Sequence, residues 1–319
     1  MRSGVRPLDT SDAYCPACNQ GIAGFRPGGH RGRRKRARCP NCNALERHRF
    51  LALLLDGLAP LVTRTGSMLD IAPSPQLADR IRQMSPGRYV RIDLAPEEDR
   101  RAVDVQASLT ALPFADGLFT LIVCFHVLEH IPDDAAAMRE LARTLAPGGL
   151  IIAQVPYQRR EPTEEDPSAS PEERVRRFGQ EDHVRRYGID FETRLATAGL
   201  AGLRVEARDI LTEDGARYFG IPPLAVMWLL RRAEGAATSG VEAETGYPQR
   251  TIADLVSEVQ RQRQQTGALE RRLTDSKREA EQQRAAYERL RYHPLVGAVV
   301  TGTRPLRRLW RRWLGRSRR

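Results

Sequence analysis

The chain lacks the features that would place it in a membrane or outside the cell. Its 319 residues contain no apolar run of about 18 residues, so a helix that spans a bilayer is not expected. The opening residues, MRSGVRPLDTSDAYCPAC, have no apolar core behind their first charges, which argues against a secretory signal. Only five cysteines are present. In the reducing cytoplasm that these absences indicate, metal ligands or core residues are favoured over disulfides. We therefore expect a cytoplasmic protein.

Acidic residues are missing from two short segments, and these segments set the charge of the whole chain. Residues 26–38 hold seven Arg or Lys, and residues 304–319 hold eight Arg. Without these 15 of the 51 basic residues, the 40 acidic residues would be in slight excess. The net charge of +11 therefore comes from two basic appendages on a mildly acidic body, not from a uniformly basic nucleic-acid surface. Residues 26–38 read as a solvated loop, with an RNA-phosphate contact as the alternative.

Four of the five cysteines form two CxxC pairs that are separated by 20 residues. The four are Cys15, Cys18, Cys39 and Cys42. A two-residue spacer lets both sulfurs of a pair reach one ion, and two such pairs predict a tetrahedral structural zinc site. Four thiolates close the coordination shell, so no position is left for a catalytic water. His30 and His48 lie nearby in sequence but are the less favoured ligands.

Between residues 68 and 155, short apolar runs alternate with helical patterns, and each run ends in acidic, small or turn residues. This alternation predicts βαβ units and an α/β fold with a parallel sheet. Ligands of such sheets bind beyond the carboxyl ends of the strands. Asp70 ends the first run and Asp93 ends the second, 23 positions later. That interval suits a nucleoside site in which the second acid accepts hydrogen bonds from ribose hydroxyls.

These segments, together with HVLEHIPDD at 126–134 and LAPGG at 145–149, resemble the class I S-adenosylmethionine-dependent methyltransferases. The chain is most similar to a bacterial subgroup in which a Cys-rich N-terminus precedes the methyltransferase fold. The resemblance covers about residues 15–232. It implies a Rossmann-like sheet, an enzyme, and S-adenosylmethionine as the cofactor. A nucleotide-binding fold without methyl transfer is the alternative.

The resemblance also implies which residues contact the cofactor. They are Asp70, Ala72, Pro73, Asp93, Leu94, Ser108 and Leu109. Two features depart from the family pattern. The loop 70–75 is usually Gly-rich because backbone must approach the ligand closely, yet here it has no glycine. Ser108 stands where an acid is expected, and a hydroxyl accepts a weaker hydrogen bond than a carboxylate.

Two histidines are the catalytic candidates. His126 is the first polar residue after the apolar run LIVCF, and in related folds that position faces the transferring methyl group. A histidine there could remove the proton of an oxygen nucleophile near neutral pH. His183 lies in the polar insertion 156–187, together with Arg185 and Tyr187. We expect these three to project over the cleft, with the latter two as substrate contacts; a surface ion-pair network is the alternative.

The composition divides the chain into five parts. They are a zinc ribbon (1–44), a methyltransferase domain (45–232), a linker (233–250), a weak coiled coil or long helix (251–292) and a basic amphipathic tail (293–319). Residues 251–292 could form a homodimer. In the tail, Trp and Leu recur at helical spacing opposite arginines, which is typical of a helix lying on an anionic membrane. An RNA-binding arm and a partner-docking helix are the alternatives.

The resemblance favours methyl transfer to an oxygen of a sugar or another acceptor related to surface polysaccharides. A membrane-directed tail would suit such a substrate and would make the protein peripheral at the inner face of the membrane. The alternative is a zinc-ribbon methyltransferase acting on RNA, or an RNA-binding scaffold. Nucleic acid is the less favoured partner, because no aromatic residue is interleaved with the basic residues of segment 26–38.

Overall fold

A computed structural model describes residues 12–28, 34–58, 66–84, 87–99 and 102–233, together with eight separate helical positions between 257 and 282. The chain divides into two compact units, residues 11–267 and a unit of residues 1–10 with 268–319. The fold and the site described below belong to the first unit.

Thirteen strands and eight α-helices are present among the described residues between 12 and 233. The strands are β1 (Ala13–Cys15), β2 (Gln20–Ile22), β3 (Arg26–Gly28), β4 (Arg34–Arg38), β5 (Ser67–Ile71), β6 (Tyr89–Asp93), β7 (Val105–Gln106), β8 (Phe119–Phe125), β9 (Leu145–Gln154), β10 (Glu164–Glu165), β11 (Arg185–Arg186), β12 (Leu200–Glu206) and β13 (Val226–Arg232). The helices are α1 (Glu46–Leu58), α2 (Ala78–Met84), α3 (Pro96–Asp99), α4 (Asp134–Thr144), α5 (Pro171–Phe178), α6 (Phe191–Thr197), α7 (Ala207–Ile210) and α8 (Glu213–Tyr218). A 3₁₀ turn covers Leu128–His130.

Seven strands form one sheet in the order β12-β13-β9-β8-β5-β6-β7. The pairings from β9 through β8, β5 and β6 to β7 are all parallel. Strand β13 is antiparallel to both of its neighbours. The strand order reverses beside β5, so the carboxyl ends of β5 and β8 flank the crevice where ligands of such sheets bind. The predicted Rossmann-like fold of the class I methyltransferases is therefore confirmed.

The central strands are apolar without interruption because both faces of the sheet are covered. In β8, Leu121 and Val123 pack in one core cluster, whereas Ile122 and Cys124 pack in the other. This alternation is what a strand with two buried faces requires. Helices α4 and α6 cover the face of Ile122, and helix α1 covers the face of Leu121. The interpretation of Cys124 as a core residue is confirmed.

The N-terminal module consists of two hairpins, β1–β2 and β3–β4, and it is held against the sheet domain by Arg49 of α1. This guanidinium is fully buried and donates five hydrogen bonds, all of them to backbone carbonyls. The acceptors are Arg36, Ala37 and Ala44 of the module, and Phe219 and Gly220 beyond α8. Arg49 therefore joins the two parts through backbone geometry rather than through an opposite charge.

Gly220 permits this close junction. Its φ of +61° lies in the left-handed region, and a Cβ there would come within 2.4 Å of the Phe25 ring. The Phe25 ring in turn lies under the Arg49 guanidinium, with 3.9 Å between the guanidinium carbon and the ring centroid. A side chain at position 220 would therefore push the module away from the domain.

The polar insertion 156–187 is ordered and packs back on the domain. Strands β10 and β11 pair antiparallel across it, and α5 lies between them. The ends of α5 follow from local chemistry: the Ser170 hydroxyl accepts a hydrogen bond from the Glu173 amide, and Gly179 takes a left-handed φ of +95° at the last turn. The insertion is thus a folded element rather than a loose loop.

In the part of the chain that the structure describes, no helix has both the length and the apolar character needed to cross a bilayer. The eight described positions between 257 and 282 are helical and exposed, and none of them is a core position of the predicted heptad. The coiled-coil core and the tail 293–319 lie outside the described residues, so the dimer and membrane assignments stay predictions.

Candidate functional site

Two left-handed residues mark the carboxyl ends of the two central strands. Ala72 follows β5 with a φ of +51°, and His126 follows β8 with a φ of +53°. Such a φ costs a non-glycine residue about 1–2 kcal/mol, so the surrounding structure must enforce it. The Ala72 amide donates to the Ile92 carbonyl and the His126 amide donates to the Gln154 carbonyl, each at 2.8 Å. The loop after β5 thus takes a glycine-like turn although it contains no glycine.

A cavity of about 230 Å³ opens between these two turns. It is lined by the ends of β5 and β8, by the loop 72–77 and by the first turns of α1. Among the predicted cofactor residues, Asp70, Ala72 and Pro73 line it, and so does the catalytic candidate His126. Arg47 and His48 line it as well.

Asp70 lies buried at the end of β5 and accepts a hydrogen bond from the Tyr89 hydroxyl at 2.6 Å. Burial and the Asp70 charge raise the pKa of Tyr89, so this phenol stays protonated and remains a donor. Tyr89 begins β6, the neighbouring strand, and therefore fixes the direction of the Asp70 carboxylate.

Asp93 ends β6, and one of its carboxylate oxygens accepts a hydrogen bond from the Ala95 amide at 2.9 Å. Leu94, the next residue, is 65% exposed, so an apolar side chain stands open at this strand end. Ser108 lies in the turn after β7 and shares a 2.8 Å hydrogen bond with the Thr110 hydroxyl, while Leu109 is buried. These four predicted cofactor positions lie at the ends of β6 and β7 and do not line the cavity itself.

His48 connects α1 to the loop after β5. Its Nδ1 accepts a hydrogen bond from the Leu45 amide at 3.3 Å, which leaves the proton on Nε2, 3.4 Å from the Ser74 hydroxyl oxygen. Burial first, and then the charge of Arg47, lower the pKa of His48 to about 3. A neutral His48 therefore braces the cavity wall.

Glu129 lies at the centre of a cluster of histidines beside the cavity. Its side chain is fully buried, and one carboxylate oxygen lies 2.9 Å from His126 Nδ1 and 4.0 Å from His183 Nε2. The sequence analysis assigned no catalytic role to Glu129. The three-residue spacing from His126 was the available signal, because the 3₁₀ turn at 128–130 brings those two side chains together.

His183 is also placed differently from the prediction. It is 4% exposed and its Nδ1 lies 3.2 Å from the Phe178 carbonyl oxygen, so it packs behind Glu129 and does not project over the cleft. Burial is the main cause that lowers the pKa of His183, and the Glu129 charge opposes it. In this position His183 can act on the cavity only through Glu129.

Arg185 and Tyr187 are buried as well, at 1% and 0% exposure, instead of standing over the cleft as substrate contacts. Arg185 donates to the carbonyls of Leu128, Ile131 and Pro132 and also bonds Glu165. The Tyr187 hydroxyl donates to Asp134 at 2.8 Å. The hydrogen-bond donors of both side chains are satisfied inside the protein, and these bonds hold the turn after β8 against the insertion. This placement gives no support to the predicted substrate role.

The four cysteines of the CxxC pairs meet at one point. Their sulfurs all lie within 4.8 Å of one another, with 3.8 Å between Cys15 and Cys42 and 3.9 Å between Cys18 and Cys39. A tetrahedral ion with Zn–S bonds of about 2.3 Å requires sulfur separations of about 3.8 Å. The cluster therefore has the spacing that a tetrathiolate metal site needs.

Comparison with protein families matches residues 69–153 to the methyltransferase domain family. The demethylmenaquinone methyltransferase of Mycobacterium marinum is 37% identical over 59 residues, which are 18% of this chain and 26% of that protein. The chloroplastic tocopherol O-methyltransferase of Arabidopsis thaliana is 36% identical over 76 residues, 20% of this chain and 22% of that protein. The chain thus spans about a quarter of the length of these curated relatives.

Among solved structures, an S-adenosylmethionine dependent methyltransferase from Mesorhizobium loti is similar with a TM-score of 0.39. It is 14% identical, and the match covers 56% of this chain and 98% of that one. The matched family residues 69–153 run from β5 to β9 and therefore contain both left-handed turns.

Proposed function

Because the chain carries a class I S-adenosylmethionine-dependent methyltransferase domain, we propose that it transfers a methyl group to an oxygen of a small-molecule or glycan acceptor. The observation that carries this proposal is the pair of left-handed turns, Ala72 and His126, which open a cavity between β5 and β8. Strained backbone at the ends of two adjacent strands is the mark of a site that holds a ligand.

The cofactor would lie across the ends of β5, β6 and β7. Asp93 would accept hydrogen bonds from the ribose hydroxyls, and Leu94 would cover one face of the adenine. Ser108 and Leu109 would border its other edge, and the loop of Ala72 and Pro73 would carry the methionine part. S-adenosylmethionine, when bound, supplies an electrophilic methyl group.

His126 would take the proton of the acceptor oxygen. Glu129 holds its Nδ1 at 2.9 Å, which leaves Nε2 as the basic nitrogen of the neutral ring. The His126 side chain is 29% exposed at the mouth of the cavity, so an acceptor can reach it. His183 would contribute by fixing Glu129 from behind.

The cysteine cluster would hold a structural zinc ion. Its four sulfurs fit the tetrahedral spacing and leave no coordination position open. The ion would keep the module folded, and Arg49 would transmit that order to α1, whose first turns line the cavity.

The acceptor class rests on the resemblance to enzymes of surface-polysaccharide assembly, and a sugar hydroxyl is the group we propose. The names of the curated relatives point to demethylmenaquinone and tocopherol, which are lipid-soluble ring molecules, and the second name states methyl transfer to oxygen. A lipid-linked sugar and a lipid-soluble ring molecule would both lie at the inner face of a membrane, and the tail 304–319 would bring the protein there.

RNA is the second candidate acceptor, and one observation favours it. A groove of about 720 Å³ lies between β4 and the segment after β12, and its lining holds five basic residues and two acidic ones. They are Arg34, Lys35, Arg36, Arg208 and Arg217, with Glu46 and Glu213. The lining offers no aromatic residue on which bases could stack. In a gel shift with single-stranded RNA, Lys35→Ala combined with Arg36→Ala should weaken binding several-fold if RNA is the acceptor. Unchanged binding would leave the sugar as the acceptor class.

Calorimetry with S-adenosylhomocysteine tests the cofactor site. The full chain should bind it, and Asp93→Ala should lose about 2–3 kcal/mol of binding free energy, because one charge-assisted hydrogen-bond pair disappears. Asp104→Ala is the matched control, since Asp104 only pairs with Arg91 at 2.8 Å on the surface. A wild-type protein that does not bind the ligand would end the methyltransferase proposal. If the protein does bind the ligand, glycan and metabolite profiling of a deletion strain would identify the methyl acceptor.

A further inference from the structure

A second cluster of potential metal ligands lies beside the proposed methyl-transfer site. Glu129, His130 and His183 each place a ligand atom within 4.8 Å of the others. The rings of His130 and His183 meet edge to face with 4.6 Å between their centroids. Two imidazoles and one carboxylate at this separation are a donor set that divalent transition metals prefer.

An unpartnered oxygen points to a missing ligand at this cluster. Glu129 is fully buried, and its Oε1 is bonded to His126. Its Oε2 is also buried but has no hydrogen-bond partner. A carboxylate oxygen without a donor in a buried site carries a large desolvation cost, and a bound cation would remove that cost.

Both histidines are held by groups that orient a metal-binding ring. His183 Nδ1 lies 3.2 Å from the Phe178 carbonyl oxygen, so it carries the proton and leaves Nε2 as the basic nitrogen. His130 Nδ1 lies 3.0 Å from an Asp182 carboxylate oxygen, which fixes the ring in the same way. In protein metal sites a ligating imidazole usually donates its other N–H to a carbonyl or carboxylate oxygen, which fixes the ring.

From this geometry we infer that Glu129, His130 and His183 bind one divalent transition metal ion, of which Zn²⁺ and Co²⁺ are representative. Three protein ligands leave at least one coordination position open, unlike the closed cysteine cluster. Glu129 Oε1 can keep its bond to His126 while Oε2 binds the ion. A role of the open position in holding the acceptor oxygen would rest on the proposed methyl transfer, whereas the binding of the ion does not.

Gln180 is the contact that a metal ion must displace. Its side-chain amide lies against His183 Nε2, so it blocks the basic nitrogen in this conformation. Gln180 is exposed to solvent, and its side chain can swing away at little cost. Removing it should therefore keep or strengthen metal binding, whereas removing a ligand should abolish it.

Co²⁺ added to the full chain that carries a single Zn²⁺, held by the four cysteines, tests the inference. Co²⁺ ranks below Zn²⁺ for the same ligands, so it should not displace zinc from the four cysteines. We expect one Co²⁺ per chain, with visible absorption that lacks the intense thiolate charge-transfer band. Glu129→Gln and His183→Ala should lose this absorption, Asp182→Asn should weaken binding about 10- to 100-fold, and Gln180→Ala should retain it.

S-adenosylhomocysteine binding, measured on each variant, reports folding and the cofactor site separately from the metal. If Glu129→Gln does not fold, His130→Ala replaces it, because the His130 side chain is 29% exposed and tolerates truncation. Absence of Co²⁺ absorption at millimolar Co²⁺ would overturn the inference, and so would its persistence in the ligand variants. Either result would leave the methyl-transfer proposal standing, since that proposal depends on the cofactor cavity.

Discussion

At the scale of single residues, the site depends on backbone conformations that its side chains do not favour. Ala72 adopts a left-handed φ, a conformation for which glycine is the usual residue. No residue pattern around Ala72 predicts this conformation. The conformation is imposed by the pairing of β5 with β6 and β8 on either side. The strain is therefore stored at the turn that would carry the cofactor.

Replacing Ala72 with glycine should measure that strain. Relief of the left-handed conformation gains about 1–2 kcal/mol, and the added entropy of the unfolded chain removes about 0.4–1 kcal/mol of it. The variant should therefore be as stable as the parent or up to about 1.6 kcal/mol more stable in urea unfolding. Ala135→Gly, at an exposed position of α4, is the matched control and should cost about 1 kcal/mol. Equal losses in the two variants would contradict a strained Ala72.

The buried His48 should make the fold sensitive to mild acid. Its pKa is lowered to about 3 in the folded protein, whereas an unfolded histidine has a pKa of about 6.5. The unfolded state therefore binds the proton first, and stability that is complete above pH 6.5 falls as the pH approaches 3. At pH 5 the loss through this residue is about 2 kcal/mol.

Urea unfolding at pH 7 and pH 5 checks this expectation. His48→Gln keeps an acceptor for the Leu45 amide but cannot be protonated, so its stability should change less between the two pH values. Parallel changes in the parent and the variant would mean that His48 is not the acid-sensitive group.

At the scale of elements, the order of strands could be predicted but the packing of the insertion could not. Strands β5, β8 and β9 contain short apolar runs that end in acidic, small or turn residues, and such runs can be read from the sequence. The spacing of Arg185 between His183 and Tyr187 in one short segment predicts that it projects over the cleft. Three of its hydrogen bonds go to the carbonyls of Leu128, Ile131 and Pro132, and carbonyl groups are identical in every residue, so these three contacts leave no signal in the sequence.

The same reason explains which parts of the site escaped prediction. The CxxC pairs and the two acids Asp70 and Asp93 could be predicted, because the type of side chain and its spacing in the sequence indicate the chemistry. Glu129 lies between His126 and His183 only because β11 returns to the turn after β8, where the Val184 amide donates to the Glu129 carbonyl at 2.9 Å. A contact across 54 residues leaves no periodic signal in the sequence.

Arg185→Lys should show that this side chain fixes the insertion. A lysine cannot replace the fork of donors to three carbonyls, so we expect a loss of about 2–4 kcal/mol in stability. Arg186→Lys is the neighbouring control, because Arg186 is 40% exposed and pairs with Glu164 at 3.4 Å, and it should change stability by less than about 0.5 kcal/mol. Thermal and urea unfolding of the two variants would separate them. Two equal and small effects would show that Arg185 is not an anchor.

At the scale of the whole molecule, the zinc ion proposed for the cysteine cluster should control more than its own module. Cys39→Ser should release zinc, and hydrogen exchange should then rise in residues 13–44 and also at Phe219 and Gly220, because Arg49 bonds both parts. Cys124→Ala, at a core cysteine outside the cluster, should keep the zinc. Elemental analysis and exchange on both variants would test this. Exchange confined to residues 13–44 would mean that Arg49 does not couple the parts.

Arg49 has a consequence for how the protein can be divided. A boundary drawn at residue 45 leaves this guanidinium in the sheet domain but removes three of its five carbonyl acceptors. A buried cation with unsatisfied donors costs several kcal/mol, a large share of the stability of a domain. The module and the sheet domain should therefore unfold in a single cooperative transition, and a chain truncated before α1 should not be a stable enzyme core.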